Sequence, residues 1–356
     1  MLSIEKFIRE NENWRELIQE APYYISVVDD EKYFILKYSQ INSDFNNNIV
    51  KECRGIIFNR YTLKPVCVPF FKFGNYGESY ADEINWNTAK VQEKIDGSLI
   101  KLWYDDEWHI STNGTIDASK ADIQSCILYK NFKELFLSCV DIDINSLNKN
   151  YTYMFELVSP YNKVVIKYPE TKIYHIGTRD NITLQELDID IGIEKPKLYN
   201  ISTIEDCIKS ASILDSSHEG FVVVDDKYRR IKVKNPIYVS MHHAVNNHMM
   251  TLKRIINIID ANEVEEFLNY FPEYIDIFKK VCYNIGIIKK ELSEIIEILH
   301  NHKFETRKDL ALYAKAHKYT EFYFKIYDDG YVDANTIWND LNISQKERLL
   351  QNVNTC

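Results

Sequence analysis

Short runs in which apolar and polar residues alternate, separated by turn residues, fill the chain from about residue 22 to about residue 240. A period of two is that of strands with one covered face, so this stretch predicts an α+β domain of mainly antiparallel strands. Tyr33-Phe34-Ile35-Leu36-Lys37-Tyr38 is one such run. Ser98 to Tyr104, the turn Asp105-Asp106-Glu107 and Trp108 to Thr112 predict a hairpin. Helical spacing intervenes at Ile123, Ile127 and Leu128 and again at Phe132, Leu135 and Phe136. From about residue 241 the period lengthens to that of helices, through Leu252, Ile255, Ile256 and Ile259, then Phe278, Val281, Cys282, Ile285, Leu292, Ile295, Ile296 and Leu299. The pattern predicts two domains, 1–240 and 241–356, the second all-helical.

Three strand runs offer polar residues from one face. In Tyr153-Met154-Phe155-Glu156-Leu157, alternation sets Glu156 on the face opposite Tyr153, Phe155 and Leu157, so the aromatics fill the core while Glu156 faces a cavity. Glu219-Gly220-Phe221-Val222-Val223 and Ile231-Lys232-Val233-Lys234 are joined by the polar loop Asp225-Asp226-Lys227-Tyr228. A four-residue loop pairs Val224 with Arg229, which sets Glu219 opposite Lys234 and Phe221 opposite Lys232 on one face. The alternative is that Lys232 and Lys234 are the solvent side of an edge strand.

With 356 residues, 45% hydrophobic and 27% charged, the chain is long enough for two cores. No apolar run approaches the ~20 residues of a membrane span, and the N-terminus lacks the basic start and apolar middle of a signal peptide, so a cytoplasmic location without membrane contact is expected. Seven scattered cysteines with no C-x-x-C pair argue against a disulfide framework and a structural zinc site. A net charge of −10 confines any nucleic-acid contact to a groove, where it is salt-sensitive. The basic pairs Lys253-Arg254, Lys279-Lys280 and Lys289-Lys290, with Arg307, Lys308, Lys315 and Lys318, read as solvated helix faces or as RNA contacts. There is no Gly-rich phosphate loop, so a bound nucleotide would be held by other means.

The candidate chemistry lies in an ordered series of short motifs. They are Glu52-Cys53-Arg54-Gly55-Ile56, Lys72-Phe73-Gly74-Asn75, Glu93-Lys94-Ile95-Asp96-Gly97-Ser98, Thr112-Asn113-Gly114-Thr115, Phe155-Glu156-Leu157-Val158, Glu219-Gly220-Phe221-Val222-Val223 and Ile231-Lys232-Val233-Lys234. Alone, Lys94-x-Asp-Gly reads as a turn. Beside cations it can be a nucleophile. A lysine at its reference pKa of ~10.4 is neutral in roughly one molecule in a thousand at pH 7, so an attacking amine needs burial or cationic neighbours. Arg54, Lys232, Lys234 and a divalent metal could supply that environment and stabilise charge on a phosphate under attack. Glu156 and Glu219 are hard oxygen ligands of the kind magnesium accepts alongside waters and phosphates. The expected product is a phosphoramide between Lys94 and a nucleoside monophosphate, with pyrophosphate leaving.

In this order the motifs resemble those of the covalent nucleotidyltransferase superfamily of ligases and capping enzymes, and within it the phage-type single-strand RNA ligase family. The resemblance runs from about residue 30 to 243 and includes Ser159-Pro160-Tyr161-Asn162 after the glutamate strand and Tyr238 in the final motif. It implies a nucleotidyltransferase (ATP-grasp-like ligase) domain of antiparallel sheets with interspersed helices. Lys94 would become adenylylated by ATP with Mg2+, for which Mn2+ could substitute, and Glu93 would lie beside the adenine. Asp96 and Gly97 would line the ribose and phosphate side. Arg54 and Lys72 would contact the triphosphate or AMP, Glu156 and Glu219 the ribose and metal, and Lys232 and Lys234 the α-phosphate, with Asn113 and Tyr238 also in the ATP/AMP site. Two positions depart from the family pattern, which often has a basic residue at Asn113 and an aromatic at Gly74.

Helices rather than a β-rich domain after Lys234 favour RNA ligase over DNA ligase or capping guanylyltransferase within the superfamily. The implied activity is ATP-dependent joining of RNA 5′-phosphate and 3′-hydroxyl ends, with single-stranded or nicked-loop RNA as partner, in the family often a broken tRNA loop. The helical domain would help select that RNA. The non-enzyme alternative is an RNA-end-binding protein that keeps the pocket without turnover. No protein partner is implied.

Overall fold

The structure, a computed structural model, describes residues 1–123, 128–162, 164–242, 250–302, 304–330 and 333–353. It divides into two compact units, Met1–His242 and His243–Cys356.

The first unit holds three antiparallel sheets. Strands β1 (Ile25–Asp29), β2 (Tyr33–Tyr38), β3 (Arg54–Asn59) and β4 (Pro65–Cys67) form one in sequential order. Its β2 run is apolar at every position from Tyr33 to Leu36 because both faces are covered. Phe34 and Leu36 pack with Ile4, Ile8 and Trp14 of the N-terminal helices, while Tyr33 and Ile35 meet Trp103 of the next sheet. Strand β5 (Lys90–Glu93) precedes β6 (Ser98–Asp105), β7 (Glu107–Thr112), β8 (Tyr151–Val158), β9 (Lys172–Asp180) and β10 (Glu186–Leu187), of which the last five make a sheet in the order β10-β9-β8-β6-β7. Then β11 (Leu198–Tyr199), β12 (Gly220–Val224) and β13 (Arg230–Lys234) join β5 in the order β11-β5-β12-β13. Residues 94–97 therefore carry the chain from one sheet into another. The cavity described below opens at that crossing.

Among the described residues the helical spacing expected from Ile123 to Phe136 is realised over Phe132–Leu137. Asp122 makes an isolated bridge with Asn131, whose side chain accepts from the Glu134 amide and starts the helix there. Ile123 is buried ahead of it, Leu128 is exposed, and Ile127 lies outside the described residues.

The second unit contains helices and no strand among the described residues. Ile275–Asn301 is its longest helix, and Phe278, Val281, Ile285, Ile288, Leu292 and Ile295 form its buried stripe at three- and four-residue intervals. Trp338 closes the core and donates its indole N–H to Asp260 at 3.1 Å. Among the described residues no helix is long and apolar enough to cross a membrane, and Cys53, Cys67, Cys139, Cys207 and Cys282 are free thiols.

Candidate active site

Lys94 follows directly on β5. Its amide donates to the Gly220 carbonyl (2.9 Å), which ties it to β12, and its ammonium donates to a Glu219 carboxylate oxygen at 2.7 Å. Both open onto a cavity of about 340 Å³, which Arg54, Lys72, Glu93, Gly97, Asn113, Glu156, Lys232 and Lys234 also line. The wall carries Arg54, Lys72, Lys94, Arg230, Lys232 and Lys234 against Glu93, Glu156 and Glu219, six cations to three carboxylates, in a chain whose net charge is −10. Positive potential is thus concentrated where a polyphosphate could bind.

Glu156 comes from β8 on the face away from Tyr153, Phe155 and Leu157, which pack in the core. It accepts the Gly97 amide at 3.2 Å. Burial, only partly offset by the nearby Lys94, pushes its carboxyl up to about 7. Arg54 stands over the Phe73 ring at 5.7 Å, and Lys232 faces the same ring at 5.3 Å. Lys72 is held among Phe45, Tyr38 and Tyr80, with its ammonium 4.5, 5.3 and 5.7 Å from their centroids. The segment after it reaches the cavity because β13 bonds to it: the Lys232 amide donates to the Gly74 carbonyl and the Tyr76 amide to the Lys232 carbonyl.

The hairpin corrects the expected register by one residue. Val224 pairs with Arg230, Val222 with Lys232 and Gly220 with Lys234, so Phe221 turns into the core beside Val233. The loop has five residues rather than four. The buried Asp225 carboxylate accepts the amides of Lys227 and Arg229 and the Arg229 side chain, and Tyr228 takes a left-handed φ of 58°. Lys232 and Lys234 face the cavity all the same, with Arg230 two residues before them. Glu219 reaches it by another route, since Gly220 has φ 137° and breaks the alternation just before β12. A Cβ at Gly220 would lie 2.3 Å from the Val233 carbonyl oxygen, so no other residue fits.

Asp96 and Tyr238 do not line the cavity as expected; they stand behind its wall. Asp96, 4% exposed, accepts the amides of Val165 and Ile166 on one oxygen and the Tyr238 hydroxyl (2.8 Å) on the other. These bonds hold the turn after Lys94. Arg230 was missed, although the alternation Arg-Ile-Lys-Val-Lys already places it on the face of the two lysines. It pairs with Glu186 at 2.6 Å, and Glu186 also binds Arg179 at 2.7 Å.

No cluster of three or more His, Cys, Asp or Glu suited to a metal occurs among the described residues. The two carboxylates, Glu156 and Glu219, fit a hard cation that keeps most of its ligands as water or phosphate oxygen. Two buried polar atoms at the wall, Arg54 Nη1 and Asn113 Oδ1, have no partner in the protein. They are available to a ligand.

Among known proteins, a baculovirus protein (Autographa californica nuclear polyhedrosis virus), provisionally named as a bifunctional polynucleotide kinase/RNA ligase, is 28% identical over 307 residues, covering 78% of this chain. The chain spans only 43% of that relative's length. An RNA ligase of Rhodothermus phage RM378 is 24% identical over 78% of this chain and 81% of its own length. A solved archaeal ATP-dependent RNA ligase superposes with a TM-score of 0.47 at 12% identity over 89% of each chain, a likeness too slight to carry an assignment. The profile of the RNA ligase family matches residues 52–238, more than half the chain and the stretch that contains every charged residue of the cavity wall. The chain belongs to the RNA ligase family.

Proposed function

We propose that the protein is an ATP-dependent ligase that seals RNA 5′-phosphate and 3′-hydroxyl ends through a covalent lysyl-AMP at Lys94. The observation that carries the reading is the Lys94 amine in the wall of a cavity that five further cations and two candidate metal carboxylates also line. In the first step Lys94 Nζ, having lost a proton, attacks the α-phosphorus of ATP; the N–P bond forms and the bond to pyrophosphate breaks. A phosphate oxygen of the RNA 5′ end then attacks the same phosphorus and releases the lysine, leaving AMP on the RNA. Finally the RNA 3′-hydroxyl attacks the 5′-phosphate and AMP departs.

The ammonium donates to Glu219, and it must leave that carboxylate to present a lone pair. A divalent cation held by Glu156 and Glu219, which we take to be Mg2+ with Mn2+ able to replace it, would supply positive charge against the phosphates. Arg54, Lys232 and Lys234 are set to orient the phosphates and oppose the charge that builds on them. Lys72 and Glu93 complete the nucleotide site. Asp96 and Tyr238 serve it from behind by holding the turn that presents Lys94. We extend the reading to a cytoplasmic RNA repair role on single strands or broken loops such as that of tRNA, with the helical unit selecting the RNA.

Incubation with α-labelled ATP and Mg2+ should leave label on the protein through boiling in detergent, with none from α-labelled GTP. Label on the Lys94→Ala variant would refute the assignment of the nucleophile.

A further inference from the structure

Lys101 is wholly buried, at 0% exposure, in the middle of β6. On its face of the strand, Leu99 lines the cavity on one side and Trp103 sits in the apolar core between sheets on the other. Among the described residues no carboxylate pairs with it; its ammonium donates to the Gly55 carbonyl. The other ionisable groups facing it are Arg54 from β3 and Cys67 from β4, and burial pushes the Cys67 thiol up to about 11, so neither offers a negative charge at neutral pH. Burial, with Arg54 adding to it, lowers the Lys101 ammonium to about 8. A buried lysine without an acid is costly to keep, and such groups gather at functional sites.

What it holds is a bulge. Lys37 of β2 pairs with Arg54 and Leu36 with Ile56, so Gly55 is an extra residue with no partner across the ladder. Gly55 has φ 78°, and a Cβ there would lie 2.6 Å from the Asn113 carbonyl oxygen, 3.0 Å from Asn113 Oδ1 and 3.1 Å from Lys101 Nζ. A bulge turns its carbonyl out of the ladder and re-aims the neighbouring side chain. Lys101 takes up that carbonyl, and the neighbour is Arg54, whose Nη1 is buried and unpartnered at the cavity wall.

We propose that Lys101 is a positioning residue for adenylyl transfer, which clamps the Gly55 bulge from beneath and so keeps the Arg54 guanidinium aimed at the phosphates of ATP. The inference rests on the ATP-dependent reading of the cavity. It assigns a role to a residue that lies between the core and the site and touches no substrate.

The test is a double-mutant cycle in the 356-residue chain with Lys101→Met, Arg54→Ala and the pair, following label uptake from α-labelled ATP and the rise in melting temperature expected on adding ATP. Lys101→Met should raise the ATP concentration for half-maximal labelling about tenfold, the loss of one charge-assisted contact at the site. In the Arg54→Ala background the same change should cost less than about twofold, because its effect runs through Arg54. Lys101→Gln keeps a donor for Gly55 and should recover part of the loss; it carries the cycle if the Met variant does not fold. Equal losses with and without Arg54, or unchanged ATP dependence in a folded Lys101→Met variant, would overturn the proposal. If the unaltered chain takes no label, adenylyl transfer is what fails, and the ATP-induced melting shift still decides whether Lys101 acts through Arg54.

Discussion

In the helical unit most of the side chains that leave solvent are apolar, from Ile255 and Phe278 to Trp338; among the described residues the buried polar ones are Glu266, Asn284 and Lys346, of which Lys346 pairs with Asp260 at 2.8 Å. In the strand-rich unit Lys101, Arg179, Arg230, Asp96, His175 and Glu219 are all buried. Buried polarity costs stability unless it is satisfied, so its concentration in one unit marks where the chain has been shaped by chemistry rather than by packing. The basic groups of the helical unit tell the same story from the other side. Lys253 lies 3.6 Å from Glu347, Lys318 lies 3.6 Å from Glu291 and Arg307 lies 2.8 Å from Asp328, so these three meet an acid at the surface of the unit.

The contrast can be broken by substitutions in either unit. Lys94→Ala should reduce labelling by ATP to background without changing the melting temperature of the helical unit, read by calorimetry. Trp338→Ala removes a side chain that is 2% exposed and should cost the helical unit ~3–5 kcal/mol. Its near-ultraviolet dichroism should fall while Lys94 still takes up AMP; loss of both together would show that the two units do not work separately. Lys232→Ala should slow label transfer about 10²-fold, the usual cost of one donor to developing charge, with little change in stability.

The smallest effect is a matter of pH. The Glu156 carboxyl ionises near 7 in the fold, raised chiefly by burial, against a usual value of 4.5. Between these values the folded protein binds more protons than the unfolded chain, so stability falls as pH rises from 4.5 through 7 and the cost is fully present above that. Glu156→Gln should therefore raise the melting temperature of the metal-free protein at pH 8 by about 2–4 °C, the shift that ~1 kcal/mol produces in a unit of this size, and leave it unchanged near pH 4. A rise of equal size at both pH values would mean that the burial of Glu156 is not the cause.

The motif order around Lys94, the cavity-facing side of Glu156 and the succession of strands by helices could all be read from residues in line, because period and spacing are local properties of a chain. Register is not local. Whether Lys232 faces Phe221 or Val222 depended on the Asp225 carboxylate closing a five-residue loop and on Tyr228 accepting a left-handed φ. Glu219 entered the cavity only because Gly220 breaks the strand before it, an angle that alternation does not foresee. Asp96, Tyr238 and Lys101 went the same way. A buried polar side chain goes where a partner in a distant strand can satisfy it, the Val165 and Ile166 amides for Asp96 and the Gly55 carbonyl for Lys101, and those partners exist only once the sheets have packed.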